Sequence, residues 1–150
     1  GIGDQVFAAK ELELDAIGVD GDFTLIRPIP ELFVVHDFTK GPLNTIVNFD
    51  MAWCCEFIEH VDKQYEPNWL ALMKTAKYVF VTYSEPGKPG HHHVNCELLD
   101  YWVKLFENNG FKYMAELTEE SKKFSTMERE FWQKNGLIFE RINDEISTSV

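Results

Sequence analysis

Basic residues are scarce: 14 Lys and Arg stand against 25 Asp and Glu, for a formal net charge of -11 at pH 7. A phosphate backbone repels such a surface, so no nucleic-acid partner is expected. Cysteine is equally thin. Cys54 and Cys55 are adjacent and Cys96 stands alone, which is no disulfide framework; a reducing, cytoplasmic compartment is expected. No apolar run approaches the roughly 20 residues of a membrane span and no signal peptide is visible, so no membrane partner is expected either. Internal repeats and domain linkers are lacking, and 1–150 reads as a single domain. What the chain does have is apolar and aromatic mass. At 45% hydrophobic and 14% aromatic it can bury a real core and is not a disordered polymer.

The pattern along the chain alternates helix and strand. Asp4 is placed to cap a short helix through Glu13, with Val6, Phe7 and Lys10 on one side. Ala16 to Val19 reads as a fully buried strand, Asp22 to Pro30 as a loop, and Leu32 to Val35 as a second buried strand ending at His36-Asp37-Phe38. Phe49 to Cys54 is a third strand, Pro67 opens a helix through Lys74, and Tyr78 to Thr82 is a fourth strand. A turn-rich loop from Ser84 to Asn95 follows. Leu98, Leu99, Trp102, Val103, Leu105 and Phe106 recur at helical spacing up to a stop at Asn109-Gly110. Phe111 to Leu117 and Leu137 to Ile142 read as two more strands around a helical Glu119 to Lys134, and Ser147 to Val150 as a frayed tail. Continuously apolar strands alternating with helices predict an α/β fold with a mostly parallel sheet covered on both faces.

The most informative local feature is at the front. Gly1-Ile2-Gly3-Asp4 opens a helix, and the following strand ends at Asp20, nineteen positions after Gly1. Glycines that admit a ligand to the backbone, then a strand-end carboxylate able to accept from ribose hydroxyls, form the pattern of a dinucleotide- or adenosyl-binding βαβ unit. Downstream, Phe49 to Cys54 leads through Cys55-Glu56-Phe57-Ile58 into Glu59-His60-Val61, and Leu105-Phe106-Glu107-Asn108-Asn109-Gly110-Phe111 joins a helix to a strand.

Together these segments resemble class I S-adenosylmethionine-dependent methyltransferases over almost the whole chain. The resemblance implies a Rossmann-like sheet, S-adenosylmethionine as cofactor, and methyl transfer to a small, non-nucleic acceptor. It implies cofactor contacts from Gly1, Gly3, Asp20, Asp37, Phe38, Trp53 and Cys54. Asp20 would hold the ribose, and Asp37 with Phe38 the adenine. The family's first strand, its acid and its first loop glycine would all precede Gly1, so the domain is expected to be N-terminally incomplete. The strands at Ala16–Val19 and Met51–Cys54 should then flank an inserted parallel strand or close directly onto each other.

His60, His91, His92 and His93 are the candidate acceptor contacts or bases, because an imidazole titrates near neutral pH. No metal is expected, since three consecutive histidines do not easily converge on one ion and no Cys or carboxylate sits beside them at a recognised metal spacing. Cys54 and Cys55 carry no nucleophile signature, having no identifiable basic partner. The rival function is a catalytically inactive protein that keeps the fold as a binding or structural scaffold. A nicotinamide-dependent oxidoreductase fits less well, because Glu59-His60-Val61 has no role there. Self-association as a homo-oligomer stays open.

Overall fold

The computed structural model describes residues 1–126 and 129–142, which puts the expected frayed tail at Ser147 to Val150 outside the described residues. Six strands form two separate sheets. In the first, β1 (Gly18–Asp20) pairs parallel with β2 (Phe33–Val35). The second has the order β3-β4-β6-β5, built from β3 (Phe49–Cys54), β4 (Ala76–Thr82), β5 (Phe111–Tyr113) and β6 (Gly136–Arg141). Here β3 and β4 are parallel, whereas β6 runs antiparallel to both β4 and β5. The expected mostly parallel sheet is therefore a mixed one. Helices α4 (Ala115–Lys122) and α5 (Phe131–Asn135) return the chain to the end at which β5 finished, so β6 has to run the opposite way. The continuous apolar run in β6 reports burial on both faces, not strand direction.

Both faces of the larger sheet carry helices. Helix α2 (Glu66–Met73) carries Pro67 in its first turn, where the missing N–H is harmless, and buries Trp69, Leu70 and Met73. Helix α3 (Leu99–Glu107) buries Trp102 and Phe106, one turn apart, and ends before Gly110 at φ 87°. Phe106 stacks on Phe139 at 4.2 Å between ring centroids, on the same sheet face as Val79. On the opposite face Trp132 of α5 stacks on Phe80 at 5.6 Å. The core thus lies chiefly between β4, β6 and the α2–α3 pair, with Trp69, Trp102, Phe106, Phe111 and Phe139 all fully buried.

Several boundaries differ from expectation for physical reasons. Asp4 is the first residue of α1 (Asp4–Glu11) and makes no side-chain cap; Gly3, left-handed at φ 108°, occupies the capping position instead. β1 and β2 are half-buried where full burial is expected, and Ile17 and Val35 are exposed. Each of these strands has a neighbour on one side only. The strand expected from Phe111 to Leu117 stops at Tyr113, where the Met114 N–H donates its last ladder bond to Ile138, and Ala115 to Leu117 become helical. The helix expected through Glu119 to Lys134 is instead two, α4 and α5. Among the described residues β1 and β3 are not paired, so they neither close on each other nor share an intervening strand.

Candidate functional site

The carboxyl ends of β1, β2 and β3 converge on a cleft of about 450 Å³. Gly21 comes from the end of β1, His36 to Thr39 from the end of β2, and Phe57, His60 and Val61 from the segment after β3. His92 and Val94 approach from the turn-rich loop. Ligands of open α/β sheets bind beyond the carboxyl ends of parallel strands, and this cleft occupies that position. Four of the residues singled out in the sequence meet there: Asp37, Phe38, His60 and His92.

Asp37 lies two residues past β2 and caps a short 3₁₀ turn, its Oδ1 accepting from the Thr39 N–H at 2.9 Å and the Thr39 hydroxyl at 2.7 Å. The Thr39 hydroxyl bond is the chief reason its carboxyl lies below the usual aspartate range. It is therefore an anionic acceptor at the cleft wall. Phe38 is buried and packs edge-on against His36 at 4.9 Å and Phe57 at 5.8 Å, so it lines the wall as part of the core.

Asp20 and the glycines lie together beside the small sheet. The Gly1 nitrogen donates to Asp20 Oδ2, while Oδ1 accepts from the Asp22 N–H at 2.8 Å and faces Arg27 at 3.3 Å. Gly3 packs on Phe33 so closely that a Cβ there would fall 2.3 Å from the ring, so packing by itself demands glycine. Trp53 and Cys54 are not at the cleft. Trp53 stacks on Trp132 of α5 at 5.0 Å, and Cys54 is a buried member of the core. Burial pushes both the Cys54 and Cys55 thiols up, which makes them poor nucleophiles.

The histidine run splits. His91 is exposed, His92 reaches the cleft with its backbone at φ 55°, and His93 folds inward to lie 5.0 Å from the His60 ring, centroid to centroid. The His92 carbonyl accepts from His60 Nδ1 at 3.2 Å, and the Glu59 carbonyl accepts from the N–H groups of Val94 and Asn95 at 2.9 and 3.1 Å. These bonds tie the loop to the 3₁₀ turn Ile58–His60. Glu59 itself is fully buried, and neither carboxylate oxygen meets a donor at hydrogen-bond geometry among the described residues. Burial, with the Glu56 carboxyl beside it, pushes its carboxyl up to about 7; the N–H groups of Glu59 and Phe57 offset only part of this.

Sequence reasoning quoted Glu59 within the Glu-His-Val segment and gave it no role. The available signal was an acid set inside an apolar stretch, Phe57-Ile58-Glu59-His60-Val61. It also passed over Glu66. That buried carboxylate accepts from Asn95 Nδ2 at 2.9 Å and from the Tyr101 hydroxyl at 2.8 Å, clamping the end of the histidine loop between α2 and α3.

No family model and no curated protein matches the chain. Among solved structures it is similar to one described as "A Pericyclic Reaction enzyme", with a TM-score of 0.52 and 9% identity. The alignment covers 94% of this chain and 41% of that one, so the chain spans about two fifths of its structural neighbour's length. At this identity the likeness concerns the fold alone, which in this chain is mixed α/β.

Proposed function

We propose that the chain is a Rossmann-like methyltransferase domain that binds S-adenosylmethionine and transfers its methyl group to a small, non-nucleic acceptor. One observation carries the reading. The cleft beyond β1, β2 and β3 gathers Asp37 and Phe38, the pair suited to adenine, with His60 and His92, the groups suited to an acceptor. Asp37 is anionic and half of its carboxylate is free to accept from an exocyclic amine. The sulfonium of the cofactor is already electrophilic, so the residues need only hold donor and acceptor in line and exclude water. A histidine at the cleft takes a proton where the attacking atom must lose one.

The open edges of β1 and β3 support a further parallel strand between the two sheets, supplied by another segment or another subunit. The rival scaffold reading is favoured by Asp20, whose Oδ1 already accepts from the Asp22 N–H and faces Arg27, and so competes with any ribose. The pericyclic neighbour bears on the fold and leaves the choice between these readings unchanged.

Calorimetry with S-adenosylhomocysteine tests it. The expected result is saturable binding that Asp37→Ala and Asp20→Ala each weaken by about 1.5–3 kcal/mol, the range for hydrogen bonds to a charged group. No heat and no thermal shift at millimolar ligand overturns the cofactor assignment and leaves the scaffold.

A further inference from the structure

We propose that Glu59, His60 and His93 form a binding site for a divalent transition-metal cation of the zinc class. The assignment is independent of S-adenosylmethionine. One ligand atom from each residue lies within 4.8 Å of the other two. A tetrahedral cation with donors at about 2.0–2.2 Å holds them roughly 3.4 Å apart, so side-chain torsions need close the set by at most about 1.4 Å.

Each ligand is prepared in a different way. Glu59 is fully buried with both carboxylate oxygens unpartnered among the described residues. A carboxylate in that state is costly unless a donor or a cation meets it. His60 has one ring nitrogen, Nδ1, against the His92 carbonyl at 3.2 Å. A carbonyl can only accept, so Nδ1 carries the proton and Nε2 keeps its lone pair. Metal-ligating histidines are oriented by this same backbone hydrogen bond. On His93, Nδ1 is buried and unpartnered. The opposite ring edge lies against Gly90, where a Cβ would fall 2.1 Å from Nε2, so a larger residue there would displace the imidazole from this seat.

One carboxylate and two neutral imidazoles suit zinc, cobalt and their neighbours, whereas magnesium and calcium require oxygen ligands. Three protein ligands leave a fourth position for water or substrate. His60 also lines the cleft, so the cation sits at its wall.

Titration of the apoprotein with Co²⁺, followed by visible absorption, is the test. The expected result is one equivalent bound with tetrahedral d–d bands, no thiolate charge-transfer band, and loss of the spectrum on adding Zn²⁺. His93→Ala and Glu59→Gln should each abolish the bands and weaken Zn²⁺ binding in calorimetry by at least about tenfold. His91→Ala, at the exposed neighbour, should leave both unchanged. Circular dichroism checks the fold of each variant, and His93→Ala, on a loop, keeps the test decisive if Glu59→Gln unfolds. Wild-type Zn²⁺ affinity in His93→Ala, an equal loss in His91→Ala, or a thiolate band each overturns the site.

Discussion

Buried polar side chains carry most of the information at the residue scale. Glu66 and Tyr101 show why. The tyrosine hydroxyl donates to both Glu66 carboxylate oxygens, at 2.9 and 2.8 Å, beneath the loop that brings the histidines inward. Burial, then the Glu66 hydrogen bond, pushes Tyr101 up from 10.0 to about 12. The folded state therefore holds this proton more tightly than the unfolded one. Its contribution to stability is fully present below pH 10 and is lost as pH rises from 10 toward about 12. Urea denaturation across that window should show stability falling more steeply in wild type than in Tyr101→Phe. Parallel slopes would mean that the hydroxyl is not engaged in solution. None of this was legible in the sequence, where Glu66 and Tyr101 are 35 positions apart and each reads as an ordinary surface residue.

At the scale of elements, the strongest local signals held and the ambiguous ones depended on packing. Pro67, the Trp102–Phe106 spacing and the Asn109-Gly110 stop fix α2 and α3 through backbone geometry and one apolar face, which a sequence carries in full. Phe111 to Leu117 did not hold as one strand, because where an edge strand stops is set by its partner. Gly3 illustrates a residue with two sufficient explanations. Its positive φ and its contact with Phe33 make glycine necessary for folding, whatever it does for a ligand. Gly3→Ala should lower stability by about 1–3 kcal/mol through strain and overpacking, read from the urea midpoint. An unchanged midpoint with weakened S-adenosylhomocysteine binding would assign Gly3 to the ligand alone.

For the molecule as a whole, the division into two sheets matters most. Among the described residues β3 uses one edge against β4 and leaves the other unpaired, and the outer edges of the β1–β2 pair are likewise unpaired. Met51 and Trp53, which share one face of β3, are exposed at 46% and 41%, so that face is only partly covered. Amides of Phe49–Cys54 that face away from β4 should exchange with solvent about 100-fold or more faster than those of Val79 and Val81, as unpaired edges do. Equal protection would mean the edge is covered, and protection that rises with protein concentration would identify a second copy as the cover. The sequence by itself determined the alternation of helix and strand, the acidic surface, and the segments ending at Asp37 and leading into His60, because these depend on composition, periodicity and local backbone chemistry. Only the tertiary structure decided that β6 runs antiparallel, that Trp53 and Cys54 lie off the cleft, and that the ring of His93 rather than those of His91 and His92 clusters with Glu59 and His60. Strand direction and side-chain convergence are set by which surfaces pack together across long sequence separations, and no local pattern encodes them.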